Sequence, residues 1–257
     1  MLKEGLAEDW ANRDKILPLL RFASTHDAAD PAATHLAPTS LKDYVARMKT
    51  GQERIYYIIA DSVEAARSSP YIEQLKAHGL EVLLLSERVD EWVMGQVDAF
   101  EGKRFKDASR GDLELGDLAT EAEKSKVEEA TKQSQDLLKR ARAALGERVS
   151  EVRVSARLTD SPSCLVLGER DMGAALRRML EAQGQKVPEA KPVLELNVEH
   201  PIVKHLEGLA EAAQFDELAQ LLFDQAALAE GGPLANPVDY VRRLNRLLVR
   251  LAVPGAA

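Results

Sequence analysis

The sequence predicts two folded parts. One is a small αβα layer domain of the α/β class. After it comes a mixed α+β domain that ends in a helical hairpin. Three observations carry this. Two apolar runs, "RIYYIIAD" (54–61) and "LEVLLLSE" (80–87), flank a helical segment, which is the pattern of a βαβ unit. A stretch rich in charge and alanine, 112–145, separates that unit from three shorter strand patterns, "VSEVRVSARL", "SCLVLG" and "KPVLELNVEHP". The closing segment repeats apolar residues at spacings of three and four, as amphipathic helices do.

Taken in order, residues 6–23 predict a helix with Trp10, Ile16, Leu17, Leu20 and Phe22 on a broad apolar side. "STHDAADPAATHLAPTS" (24–40) is rich in small residues and proline and reads as a loop. "TSLKDYVARM" restarts a helix, with Ser40 as its cap and Asp43 three residues on. The run 54–61 is apolar on both faces, as a strand inside a parallel sheet is. "SVEAARSSPYIEQLKAHG" follows as a helical region closed by Gly79. The run 80–87 is a second buried strand, joined to the first by a right-handed crossover. "RVDEWVMGQVDAFEG" continues as a helix, and "KRFKDAS" reads as a short edge strand. The connecting helix across 112–145 has little to bury before Leu137, Leu138 and Leu145. Beyond it, helices are predicted over "ERDMGAALRRMLEAQGQ", "HPIVKHLEGLAE", "QFDELAQLLFDQAALAE" and, past a "GGPLANP" turn, "VDYVRRLNRLLVRL".

Composition narrows the function. Hydrophobic residues make up 45% of the 257, but aromatics only 5%, so aliphatic side chains must fill the cores. A net charge of −8 lacks the electrostatic footprint of a nucleic-acid binder. No apolar run approaches the roughly 18 to 20 residues that span a membrane. The start, "MLKEGLAEDW", lacks the apolar core of a secretory signal. The single cysteine, Cys164, has no internal disulfide partner, which fits a reducing, cytoplasmic location. Its setting in "SCLVL" predicts a small buried residue rather than a nucleophile.

The motifs of common catalytic chemistry are missing. There is no G-x-G-x-x-G, G-x-x-x-x-G-K-[ST], C-x-x-C, H-E-x-x-H or G-x-S-x-G. His200 and His205 stand five apart and so do not share a helix face, and no metal site is expected. Asp61, Ser62, Ser86 and Glu87 follow the two strong strands, where open α/β sheets bind ligands. An α/β enzyme with its site near Asp61 and Ser86 is therefore the alternative reading.

Two surfaces look like binding sites. The last two helices carry Phe215, Leu218, Leu221, Leu222 and Ala226 on one, and Val241, Leu244, Leu247, Leu248 and Leu251 on the other. A hairpin buries one seam between its members and leaves a second apolar face. That face is covered either by the chain's own domain or by a second copy in a four-helix bundle. In "ERDMGAALRRMLEAQGQ", Met172, Leu176, Met179 and Leu180 share one helix face. Such a stripe is either core or an open binding surface, and methionine suits contact with many apolar shapes. Gly173 lowers the helix propensity there. Trp92 and Met94 fall off the Val89, Val93, Val97 stripe, and Trp92 adjoins Asp90 and Glu91, as a contact residue would.

Several segments, in this order, carry a resemblance: "LLRFASTH", "LKDYVARMK", "GQERIYYIIADS", "LEVLLLSERVDEW", "GERVSEVRVSARLTDSP", "GQKVPEAKPVLELN" and "LLFDQAALAE". The chain resembles the bacterial Hsp90 chaperone family over nearly its whole length. The resemblance implies the later part of a longer protein. Residues 1–116 would be the small αβα part of the middle domain. Residues 117–257 would be the C-terminal dimerisation domain, opening with a connecting helix. It implies a homodimer through a four-helix bundle, placing Leu218, Leu221, Leu222, Ala226, Val241, Leu244, Leu247 and Leu248 at the interface. It implies that Glu91, Trp92, Met172, Leu176, Met179 and Leu180 hold unfolded or partly folded client proteins. An Hsp70-type chaperone system is a further partner it brings in, and stress response a further association. ATP and magnesium belong to a nucleotide domain outside this sequence, so neither a cofactor nor ATPase activity is expected of this chain. Gly95 stands where relatives usually carry a polar side chain. The ending "LAVPGAA" lacks the acidic tail of cytosolic eukaryotic relatives, so binding of TPR co-chaperones is not expected.

Overall fold

The computed structural model describes residues 2–26, 38–169, 171–173, 177, 180, 184–185 and 191–252. The chain packs into two compact units that do not follow sequence order. The first is Met1–Lys126 with Leu167–Ala190, and the second is Val127–Val166 with Lys191–Ala257.

The first unit is built from short helices and strands. In chain order these are α1 (Leu2–Glu8), α2 (Arg13–Ile16), β1 (Arg21–Ser24), β2 (Thr39–Ser40), α3 (Leu41–Arg47), β3 (Arg54–Ile59), α4 (Val63–Arg67), α5 (Glu73–Ala77) and β4 (Val82–Leu85). Then come α6 (Asp90–Met94), β5 (Ala99–Phe100) and β6 (Lys103–Asp107), which complete a sheet in the order β2-β1-β4-β3-β6-β5. β3 lies at its centre, parallel to both β4 and β6, so the predicted βαβ unit is present. Its apolar residues are buried on both faces for that reason, with Ile55, Tyr56 and Ile58 in the interior. Ser40 caps α3 as its sequence predicts. Its hydroxyl accepts from the Asp43 amide at 3.1 Å and donates to the Asp43 carboxylate at 2.6 Å. Gly79, with φ of +60°, ends the region after α5.

Three predictions fail, each for a local reason. Residues 6–23 are not one helix. α1 and α2 are followed by a 3-10 turn containing Pro18, which cannot continue a helix, and then by the extended β1, whose Phe22 and Ser24 point inward. The helix predicted over "RVDEWVMGQVDAFEG" stops at Met94, and Ala99–Phe100 is already a strand. A tight turn at Glu101 and Gly102, both with positive φ, returns the chain into β6. β6 itself is not an edge strand. It pairs along β3, and the edge is the two-residue β5.

The second unit contains α8 (Gln135–Leu145), β7 (Glu151–Val154), β8 (Ser163–Val166), β9 (Val193–Leu196), α9 (Pro201–Gly208), α10 (Ala212–Ala229) and α11 (Pro237–Ala252). It is preceded by the connecting helix α7 (Glu121–Gln133). α7 buries nothing, whereas α8 buries Leu137, Ala141 and Leu145, as the change in pattern predicts. β9 is the central strand, parallel to β7 and antiparallel to β8. The helices pack an apolar core from Leu165, Leu194, Leu196, Val203, Phe215 and Leu222. Cys164 is buried, as expected. A charge pair, Glu195 and Arg157, is buried beside it. The Glu195 carboxylate accepts from Arg157 Nε at 2.9 Å and from the Ser155 hydroxyl at 2.7 Å. Burial pushes this carboxyl up, but Arg157, Ser155 and Arg153 outweigh it and hold it below the ordinary carboxylate range.

Candidate functional site

The site is assembled in the first unit around α6. Asp90 at the start of this helix is buried. Its carboxylate accepts from Lys3 Nζ at 2.6 Å and from the Glu87 amide at 2.8 Å, which pins α6 to α1. Val93 enters the core on the predicted stripe, and Met94, which the sequence placed off that stripe, is buried in the same core. Helix geometry then turns Glu91 and Trp92 away from it. Trp92 is left 44% exposed although it is large and apolar.

Arg110, just past β6, ties this helix to the segment that follows Leu167. Its Nη2 donates to Glu91 Oε1 at 3.2 Å, and its Nη1 donates to the Asp171 carbonyl at 2.7 Å. Its Nε lies 3.0 Å from Asp107 Oδ2, an ion pair whose angle does not make a hydrogen bond. Asp107 also accepts from the Ser109 amide and hydroxyl, at 2.9 and 2.7 Å. Lys106, buried one residue earlier, bonds Glu169 and lies 3.3 Å from Glu114. Gly173 packs where α6 leaves no room. A Cβ there would fall 2.9 Å from Glu91 Cδ and 3.1 Å from Arg110 Nη2.

These contacts enclose a cleft of about 350 Å³. Tyr57, Ile59, Met94, Phe105 and Met172 give it an apolar lining. Glu91, Lys106, Asp107, Arg110, Glu169 and Asp171 charge it. The Tyr57 and Phe105 rings meet edge to face, 6.4 Å between centres. Burial pushes the Tyr57 phenol well above its usual value, and the Asp107, Glu169 and Glu91 carboxylates reinforce the shift against Arg110. The phenol is therefore a neutral donor at physiological pH. Among the described residues no cluster of three or more His, Cys, Asp and Glu could hold a metal ion.

Of the residues predicted to bind clients, Glu91 and Met172 line the cleft. Trp92 stands on the same helix outside its lining. Met172 is 37% exposed and Leu180 is half-buried. Leu176 and Met179 lie outside the described residues. Sequence reasoning missed Tyr57, Phe105, Lys106 and Arg110. Parallel pairing of Tyr57 with Asp107 brings them together, and that signal is lost once β6 is read as an edge strand.

The residues predicted for a dimer interface divide into two sets. Leu218, Leu221, Leu222 and Ala226 are buried in the core of their own unit, and Leu244 and Leu247 pack against it half-buried. Val241 and Leu248, at 50% and 51% exposed, point outward beside exposed Val238 and Val249. At the strand ends, Ser62 caps α4 by accepting from the Ala65 amide, and Glu87 pairs with Lys3 at 2.7 Å. Asp61 is exposed and Ser86 half-buried. His200 caps α9 through Nδ1, which accepts from the Ile202 amide at 3.2 Å.

An α/β layer unit with an exposed tryptophan and methionine, joined to an α+β unit with a half-covered helical hairpin, matches one family over residues 1–254. The chain belongs to the Hsp90 family, through a family model described as Hsp90 protein. Over its whole length it is 51% identical to the Chaperone protein HtpG of Aromatoleum aromaticum (strain EbN1). It is 49% identical to the protein of the same name from Alkalilimnicola ehrlichii (strain MLHE-1). The chain spans 38% and 39% of the length of these two relatives. No helix among its described residues is long and apolar enough to cross a membrane.

Proposed function

We propose that this chain is the client-holding and dimer-forming part of an ATP-dependent Hsp90-type chaperone. Residues 1–116 act as the small part of the middle domain and 117–257 as the dimerisation domain. The nucleotide domain that binds ATP and magnesium lies outside the sequence, so the chain by itself neither needs a cofactor nor hydrolyses ATP. Its partners are a second copy, non-native proteins of the cytoplasm and, in the cell, an Hsp70-type system. The observation that carries the reading is the pair of large exposed apolar side chains, Met172 in the lining of a charged cleft and Trp92 on the helix that supplies Glu91 to it. Neither is used by the core, and each can bury non-native apolar surface at about 25 cal/mol per Å². Membership of the Hsp90 family and the two HtpG relatives support the same conclusion.

The test is titration of a labelled, permanently unfolded protein against the wild type and against Trp92→Ser/Met172→Ser. Loss of two such contacts is expected to weaken binding by roughly tenfold or more. The melting temperature is expected to hold, because neither side chain is core. Unchanged affinity in the folded double variant would overturn the assignment. Met172→Ser/Leu176→Ser/Met179→Ser extends the test along the predicted helix face.

A further inference from the structure

The cleft is more selective than an apolar patch. Four carboxylates line it, those of Glu91, Asp107, Glu169 and Asp171, against the two cations Lys106 and Arg110. Among the described residues, two carboxylate oxygens of this lining have no partner and remain for a ligand. Glu169 gives Oε1 to Lys106 and keeps Oε2, and its side chain is half exposed. Asp171 gives Oδ2 to the Gly168 amide at 2.8 Å and keeps Oδ1. Behind this acidic rim lie aromatic and thioether surfaces from Tyr57, Phe105, Met94 and Met172. An excess of negative charge over low-dielectric walls focuses the field on the opening.

We infer that the cleft accepts a lysine or arginine side chain of a non-native polypeptide, while apolar neighbours in that segment lie on Trp92 and Met172. Such side chains have the required shape. An aliphatic stem runs along apolar surface and a cationic head stays at the polar rim. Tyr57 and Phe105 in the lining supply rings for a cation–π contact with such a head. The volume, about 350 Å³, sits at the small end of ligand cavities and suits one long side chain better than a folded element. An anion would meet the carboxylate excess, and no metal-binding cluster competes among the described residues.

The inference rests on the client-binding reading, and one experiment separates the two. The probes are a fluorescein-labelled, unstructured peptide with two arginines among leucine and phenylalanine, and its copy with neutral citrulline at both arginines. Each is titrated against the full 257-residue chain and against Glu169→Gln/Asp171→Asn. A charge-assisted contact is expected to make the arginine peptide bind the wild type roughly tenfold tighter than the citrulline copy. In the variant the preference is expected to shrink to within about twofold, with the citrulline affinity unchanged. Equal binding of the two peptides to the wild type overturns the inference and leaves the chaperone reading standing. Binding of neither overturns both. A preference that survives in the variant places cation recognition elsewhere and also overturns it. Melting curves accompany each titration. Should the double variant melt early, Glu169→Gln alone, at a half-exposed position, carries the same expectations.

Discussion

At the residue scale, Gly173 decides how two pieces of chain meet. Its sequence context suggests only a weak spot in a helix, since glycine costs about 1 kcal/mol against alanine there. The structure supplies a different reason. The Glu91 carboxyl and the Arg110 guanidinium occupy the space that a Cβ would take. The clash falls on the flexible ends of side chains rather than on backbone, so it is cheap to relieve, but relief moves Glu91 off Arg110. Gly173→Ala is therefore expected to leave the melting temperature nearly unchanged, within about 0.5 kcal/mol in stability. It is expected to weaken client binding severalfold, because the guanidinium no longer holds both Glu91 and Asp171. Calorimetric melting beside the unfolded-protein titration checks both halves, and unchanged binding would show that the Glu91–Arg110 pair does not position the site. Some residues were readable from sequence alone. Ser40 and Gly79 perform the capping roles that their type and spacing predict, because caps are local. Arg110 was not readable, because its partners lie 19 and 61 positions away.

At the scale of elements, periodicity identified the long helices α8, α10 and α11 and the two central strands. It failed where a short break outweighed it. Pro18 ends one apolar pattern, and the turn at Glu101 ends another. Periodicity also cannot say which part of an apolar face is covered. On α11, Tyr240, Leu244 and Leu247 pack on the chain's own core, while Val238, Val241 and Leu248 stand rotated towards water. The apolar arc is wider than one hairpin partner uses, which is what a helix shared with a second copy needs. The sequence-based set mixed residues of both kinds, and the structure separates them. Val241→Glu/Leu248→Glu is expected to give a folded monomer by light scattering at micromolar concentration, since both positions are outside the core. Leu221→Glu, in the buried interior, is expected to destabilise the unit by several kcal/mol instead. A dimeric Val241→Glu/Leu248→Glu protein would move the interface away from α11.

At the scale of the whole molecule, the chain presents the charged cleft lined by exposed Met172, with exposed Trp92 on the helix beside it. A single contact of this size is weak, because little area is buried and a disordered client loses entropy on binding. The proposed dimer would change the arithmetic without changing any contact. A client with two sticky segments would bind the first site from solution and the second at an effective concentration in the millimolar range. The full chain is therefore expected to bind a probe with two identical unfolded segments on a long flexible linker at least about a hundredfold tighter than a probe with one. In Val241→Glu/Leu248→Glu that advantage is expected to vanish, while affinity for the single-segment probe stays the same. Fluorescence titration of both probes against both proteins reads this directly. Retention of the two-segment advantage in the monomer would mean that a second client surface lies on the same chain. Loss of single-segment affinity together with the dimer would mean that neither copy holds a complete site alone.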